Sequence, residues 1–140
     1  MLRLGLDLWQ SIYSSGEAEP SPYESAVAVY ALTALIGSNP TVVRLRRSSD
    51  NAESDFLASE IESGAALSWV GTGATDNGCI VTWYDQTPSN NHATQTSAAA
   101  QPKLIESGQL VTIDGSSYVR FDGIDDGLEY HYDISYKCIW

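Results

Sequence analysis

The residues best suited to chemistry lie in a polar loop that follows a hydrophobic run. The stretch VTWYDQTPSNNHATQ, residues Val81–Gln95, combines the acid Asp85 with several amides and with His92, one of two histidines in the chain. An acid and a histidine are groups that general acid–base catalysis uses. A catalytic site also needs a partner base, a metal-ligand set or a second placed carboxylate, and no residue at a suitable spacing supplies one. The stretch therefore predicts a hydrogen-bonded corner, with Trp83 or Tyr84 in the core and polar side chains satisfying backbone groups.

A dense basic run, Arg44, Arg46 and Arg47, is followed directly by the acidic segment SSDNAESD. Because arginine forms bidentate hydrogen bonds with carboxylates, this order predicts an internal ion-pair network, with anion binding as the alternative. We assign members of this network and of the polar loop to one structural corner. The predicted corner residues are Arg46, Asp50, Asp85, Gln86 and His92.

Carboxylates cluster again in the segment FDGIDDG. Glycoside hydrolysis needs two carboxyl groups about 5–10 Å apart, and sequence spacing does not define that distance. Asp122, Asp125 and Asp126 offer the oxygen ligands that calcium prefers, but the regular spacing of a calcium loop is missing. Asp and Gly also favour turns through side-chain to backbone hydrogen bonds. A structural turn is the preferred interpretation, and a calcium site is the weaker alternative.

No enzyme motif accompanies these residues. His92 and His131 have no partner at metal-ligand spacing, so they predict no zinc site. The sequence contains no GxSxG nucleophile elbow, no phosphate-binding glycine loop and no Cys/His nucleophile signature. We therefore expect a protein without catalytic activity and without a cofactor.

The chain contains four tryptophans and eight tyrosines. Trp83 and Tyr84 in the polar loop, and Trp9 and Trp140 near the chain ends, are the candidates for binding. They could form sugar-stacking platforms or contribute to the core and to protein interfaces. Aromatic residues are enriched at protein interfaces, so an interface is the first expectation and a host-surface glycan the second.

Composition limits the classes of partner. With 140 residues and 43% hydrophobic content, the chain has the size of one domain. Its 18 acidic and 7 basic residues give a formal charge of -11, which repels nucleic acids and anionic membranes. Asp7 interrupts the N-terminal apolar run and no stretch is long enough to span a bilayer, so neither a secretory signal nor a membrane segment is expected. Cys79 and Cys138 are expected to be reduced thiols.

Residues 1–20 are predicted to be an assembly arm. Leucines occupy every second position from Leu2 to Leu8, which is the spacing of an extended strand, and a linker rich in Ser, Pro and Gly follows. The arm precedes a single mainly-β domain, residues 21–140.

The domain is predicted to begin with an α-helix over about residues 22–36. Ser21 as N-cap and Glu24 as its reciprocal partner form a capping box, and apolar residues follow at helical spacing.

Strands dominate the remainder of the predicted domain. Alternating and β-branched runs predict strands, and the sequence DGSS between two short runs predicts a hairpin. A further strand is predicted over residues 67–70. Together these elements predict a mainly β fold, an antiparallel, sandwich-like domain with one N-terminal helix. The other predicted strand segments are TVVRLRR, CIVTWYDQ, QLVTI, SSYVRF and LEYHYDI.

Several of these segments, in this order, resemble a known family pattern. VRLRRSSD, WYDQTPSNNHATQ, AAAQP and VRFDGIDD lie within a match over about residues 28–128. They are similar to an N-terminal module found in many bacteriophage virion proteins, especially tail and fibre proteins. They also resemble the start of the catalytic domain of family-54 α-L-arabinofuranosidases.

The chain departs from this family pattern in two places. The relatives have a glycine turn, DQSGxGN, where this chain has Pro88, which stiffens the loop. In the relatives, a concanavalin-like β-sandwich follows the FDGxDD strand and carries the catalytic nucleophile and acid/base, whereas this sequence ends at Trp140. No residue here matches those catalytic groups, so the resemblance assigns none.

The resemblance implies a non-enzymatic protein of the virion surface, either tail- or fibre-associated or capsid-decorating. It would act in particle assembly and host-surface attachment, with other virion proteins as partners. A homo-oligomer, such as a trimer, is expected by analogy. The arm could add a strand to a partner's sheet edge. The alternatives are a carbohydrate-binding module and a truncated, arabinofuranosidase-like glycoside hydrolase.

Overall fold

The computed structural model describes residues 22–23 and 25–130. Within these residues the chain is mainly β, as predicted: antiparallel strands form a curled sheet, a half-barrel, accompanied by two short α-helices. The predicted arm, residues 1–20, and the end of the predicted last strand, residues 131–134, lie outside the described residues.

The described elements are, in chain order, β1 (Thr41–Arg47), β2 (Glu53–Leu57), α1 (Ala58–Glu62), α2 (Ala65–Val70), β3 (Gly78–Trp83), β4 (Ala93–Thr94), β5 (Lys103–Glu106), β6 (Gln109–Leu110), β7 (Thr112–Ile113) and β8 (Ser116–Ser117). A 3-10 turn at Ala98–Ala100 precedes β5. The strands of the main sheet lie in the order β2-β1-β3-β5-β6. One edge of β3 pairs with β1; along its other edge the first residues pair with β5 and the last with β4.

The core is centred on β1 and its two neighbours. Leu45 of β1 lies opposite Ile80 of β3, and both side chains are fully buried. Val42 and Val43 are both fully buried although they are adjacent, because a register shift in the β1–β2 pairing interrupts the usual alternation. Burying a side chain of this kind stabilises the fold by about 1.5–3 kcal/mol.

The two short helices cover one end of this core. Ile61 of α1, and Ala66 and Val70 of α2, are buried against it. Gly64 separates the helices with φ +78°, a left-handed conformation that glycine adopts without steric cost. The strand predicted over residues 67–70 is therefore wrong. The segment is helical because helical spacing places Ala66 and Val70 on one face.

The α-helix predicted over about residues 22–36 is also wrong for the described residues. Residues 25–36 follow turns, bends and irregular backbone. The backbone N–H groups of Val29, Leu35 and Ile36 donate to side chains 50–56 residues away in place of helical carbonyls. These distant acceptors replaced the helix that the local pattern favoured. The capping residues of the prediction lie outside the described residues.

One tight hairpin extends the main sheet from β5 to β6, and a second forms a separate two-stranded sheet, β7–β8. Ser107–Gly108 joins β5 to β6, and Asp114–Gly115 joins β7 to β8. All four of these turn residues have positive φ, between 50° and 81°. This is the pattern of two-residue type I′ turns, whose twist matches that of the flanking strands. The hairpin predicted at the DGSS sequence is confirmed.

Candidate functional site

Asp85 is the centre of the predicted corner. It follows β3, is 5% exposed, and its carboxylate accepts four hydrogen bonds. Oδ1 accepts from the backbone N–H groups of Val29 at 2.8 Å and Thr87 at 2.9 Å. Oδ2 accepts from the Thr87 hydroxyl at 2.7 Å and from the backbone N–H of Asn91 at 2.9 Å. The carboxylate thus binds three separate points of the main chain.

These hydrogen bonds also determine the charge state of Asp85. Burial by itself raises the pKa of the carboxyl group, but the hydrogen bonds donated by Thr87, Val29 and Asn91 together hold the pKa below its usual value. A carboxylate with a lowered pKa and fully engaged oxygens is a poor proton acceptor at neutral pH.

His92 lies beside Asp85 but does not form an acid–base pair with its carboxylate. The Nδ1 atom of His92 accepts the backbone N–H of Asp85 at 3.1 Å. This geometry assigns the ring proton of the neutral histidine to Nε2. The rings of His92 and Tyr84 pack edge to face, with centroids 4.9 Å apart. The histidine therefore orients the backbone at the start of the loop.

Gln86 binds residues 25–39, which we call the irregular segment. This segment includes most of the residues that were predicted to form a helix. The Nε2 atom of Gln86 donates to the carbonyl of Thr33 at 2.8 Å, and its Oε1 accepts from the backbone N–H groups of Leu35 at 2.9 Å and Ile36 at 3.1 Å. A single side-chain amide thus supplies both donors and acceptors to the segment, as a neighbouring strand would.

Asn91 adds a second attachment for the same segment. Its Nδ2 donates to the carbonyl of Val27 at 2.6 Å, and its own carbonyl accepts the hydroxyl of Tyr30. Asn91 and Gln86 therefore hold the segment at two points along its length.

The predicted arginine network is present in part. Arg44 forms a bidentate pair with Asp55 at 2.8 and 2.9 Å, and Arg47 forms one with Asp50 at 3.0 and 2.7 Å. Arg46 instead donates to neutral groups, Gln101 Oε1 at 2.7 Å among them. The structure therefore does not bring Arg46 and Asp50 together, and neither residue contacts the Asp85 corner.

The aromatic residues of the loop are engaged in internal contacts. Trp83 packs against the core and against Tyr30, with ring centroids 6.0 Å apart. The hydroxyl of Tyr84 donates to Asp55 at 2.7 Å. Burial, this hydrogen bond and the negative charge of Asp55 raise the pKa of Tyr84 to about 12. Trp9 and Trp140 lie outside the described residues.

Asp122, Asp125 and Asp126 could bring three carboxylate oxygens within 4.8 Å of one another. The Asp122 Oδ1 atom accepts the backbone N–H groups of residues 124, 125 and 126, the first at 2.8 Å. Asp126 in turn accepts the backbone N–H of Asp122 at 2.9 Å. Lys103 and Arg120 line the adjoining cavity. These reciprocal hydrogen bonds fit a structural turn, and the nearby positive charges oppose a cation there.

A cavity of about 390 Å³ was not anticipated from the sequence. Its lining includes Leu32 from the irregular segment, Ile61 and Glu62 from α1, Leu110 from β6, and Ser116 from β8. These residues come from distant parts of the chain, and no local motif connects them. The cavity could have been found only from the fold.

The side chains of Asp85, Gln86, Asn91 and His92 all form hydrogen bonds with main-chain groups. No helix in the ranges 22–23 and 25–130 is long and apolar enough to cross a membrane. No protein-family model, no curated protein and no solved structure matches the chain.

Proposed function

We propose that the protein is a non-enzymatic structural component of a bacteriophage virion surface, tail- or fibre-associated or capsid-decorating, that acts in particle assembly and host attachment. One observation supports the non-enzymatic part of this proposal: the side chains of Asp85, Gln86 and His92 bind main-chain groups. The assignment to a virion rests on the resemblance of the loop, the arginine strand and the FDGIDD segment to phage tail and fibre modules.

The internal use of the loop residues supports a scaffold in preference to a catalyst. A general base needs a free lone pair directed at a substrate. Both oxygens of Asp85 and the Nδ1 atom of His92 are directed at the protein's own N–H and O–H groups. The glycoside-hydrolase alternative therefore gains no support from this loop.

The positions of Trp83 and Tyr84 give no support to the glycan-binding alternative. Trp83 packs on the core, and Tyr84 is bound at both its hydroxyl and its ring. A sugar-stacking platform requires an aromatic face that is accessible to the ligand.

Assembly with other virion proteins, or with further copies of the chain in a homo-oligomer such as a trimer, is part of the proposal. Strand β2 is an edge of the sheet, and its exposed Glu53 places negative charge there. Charged edges discourage indiscriminate strand pairing and favour a partner that matches them. A sandwich-like arrangement, in which further strands cover the curled sheet, also belongs to the proposal, since the related virion modules continue into a β-sandwich.

Mass spectrometry of density-purified phage particles tests the proposal. We expect peptides of this chain to copurify with the major capsid and tail proteins, and an abundant host cytoplasmic protein to be depleted as the control. Particles with full coverage of the capsid and tail proteins but without this chain would overturn the virion assignment.

A further inference from the structure

The cavity of about 390 Å³ has the composition of a binding site. Leu32, Ile61 and Leu110 contribute apolar surface, and Ser116 and Ser117 contribute hydroxyl groups. Leu32 and Ile61 are 8% and 2% exposed, so this apolar surface is continuous with the core. The volume lies within the range of about 300–1,000 Å³ that is usual for ligand pockets.

Glu62 is the one carboxylate among the described residues that line this cavity. It is the last residue of α1, and within the described part of the chain no ion pair or hydrogen bond engages its side chain. A negative charge at the C-terminal end of a helix is unfavourable. The position of Glu62 therefore does not serve the stability of α1, and its charge remains available to a ligand.

The charge balance of the protein determines the sign of that ligand. The basic side chains of the described residues already have acidic, amide or carbonyl partners, and none of them lines the cavity. The chain as a whole carries a formal charge of -11. Such an excess attracts basic partners and repels acidic ones.

We propose that the cavity binds a lysine side chain presented by a partner protein, an inference that rests on the proposed assembly function. The methylene stem would lie on Leu32, Ile61 and Leu110, as lysine stems commonly lie on apolar surface. The ammonium group has three donors and no acceptor. The carboxylate of Glu62 and the hydroxyl oxygens of the β8 serines would accept them. None of the described residues that line the cavity is aromatic, so a sugar ring would find no stacking surface among them.

A titration of the 15N-labelled full chain, followed by NMR, tests this inference. The probes are acetyl-Leu-Lys-Leu amide and the same peptide with norleucine in place of lysine, which keeps all four carbons of the lysine stem but lacks its ammonium group. We expect the lysine peptide to shift the amide signals of Glu62, Ser116 and Ser117 saturably. The norleucine peptide should bind about two- to fivefold more weakly, the range for an exposed charge pair.

Two variants provide the matched comparison. Glu62→Gln should lower the affinity for the lysine peptide by the same factor. Glu53→Gln removes an equal charge from the exposed edge strand, away from the cavity lining, and should leave the affinity unchanged. If Glu62→Gln does not fold, the comparison of the two peptides on the unmodified chain still decides the outcome.

Three results would overturn the inference: no saturable shift with the lysine peptide, equal affinity for both peptides, or tighter binding of a neutral monosaccharide at the same amides. The titration and the particle experiment fail independently. If the chain is present in particles but does not bind the lysine peptide, only the cavity assignment is wrong. If the chain binds the peptide but is absent from particles, only the virion assignment is wrong.

Discussion

Asp85 and Val29 are 56 residues apart in the chain, and the carboxylate of Asp85 joins them directly. An isolated buried carboxylate is costly because it loses its hydration. Here four donors replace that water, and the hydrogen bonds outweigh the effect of burial on the pKa. In the sequence Asp85 is the residue that most resembles a catalytic acid. In the fold it holds separate parts of the main chain together through hydrogen bonds.

Replacing Asp85 with Asn should therefore destabilise the protein. The substitution removes the charge and puts an NH2 group opposite existing donors, so we expect the free energy of unfolding to fall by about 2–4 kcal/mol. Chemical denaturation monitored by tryptophan fluorescence measures this. Asp125→Asn is the matched control, since Asp125 is exposed and should change stability by less than about 0.5 kcal/mol. Equal stability of the Asp85→Asn variant and the unmodified protein would contradict the assigned role.

The lowered pKa of Asp85 also predicts an acid-sensitive fold. A carboxyl group whose folded pKa is below its unfolded value stabilises the protein above the unfolded pKa, about 3.9, and loses this contribution as the pH falls through the folded pKa. Asp55 and Glu106, whose pKa values are lowered by hydrogen bonds from Arg44 and Lys103 respectively, act in the same direction. Unfolding free energies measured from about pH 5 down to about pH 2 should decrease, and less steeply in Asp85→Asn. A parallel decrease in both proteins would show that Asp85 does not contribute.

At the scale of elements, local sequence patterns predicted part of the sheet, missed β2 and β5, and predicted helices poorly. Strands β1 and β3 and the β7–β8 hairpin follow from β-branched residues and from the Asp114–Gly115 turn, which are signals contained within a few residues. The helix over residues 22–36 failed because its competitors, Asp85 and Gln86, lie far away in the sequence. The hydrogen-bonding character of the corner could be predicted from its composition, whereas its partners, Val29 and Leu35 among them, could not.

Gln86→Ala tests how the irregular segment is held. The substitution removes the acceptor for the Leu35 and Ile36 amides, so hydrogen exchange at these two positions should accelerate by about tenfold or more. Amides of the core strands, such as Ile80, should exchange at an unchanged rate because β1 and β5 still cover them. Native-state exchange followed by NMR distinguishes this local release from a global loss of stability, in which all three amides would accelerate together.

At the scale of the whole molecule, the half-barrel protects its central strand from solvent. Cys79 lies on β3 between β1 and β5 and is 6% exposed. Burial raises the pKa of its thiol, which further reduces the reactive thiolate.

Alkylation of Cys79 should therefore require opening of the sheet. In native buffer we expect iodoacetamide to modify it at least about a hundredfold more slowly than in denaturant, because the closed state is inert. Peptide mass mapping follows Cys79 separately from Cys138. Modification of Cys79 in native buffer at the denatured rate would indicate that β3 is not held between β1 and β5.

The attachment of the irregular segment through Gln86 has a consequence for divergence among related sequences. Gln86 contacts carbonyl and N–H groups of residues 31–36, which every amino acid except proline provides. Within residues 31–36, apart from the buried Leu32, the side chains can change without losing the attachment through Gln86, whereas Gln86 itself cannot be replaced by a residue of different shape. Homologous chains would then keep the corner residues while the sequence of the irregular segment changes. A comparison of residue types alone would therefore miss the irregular segment as the structural partner of the corner.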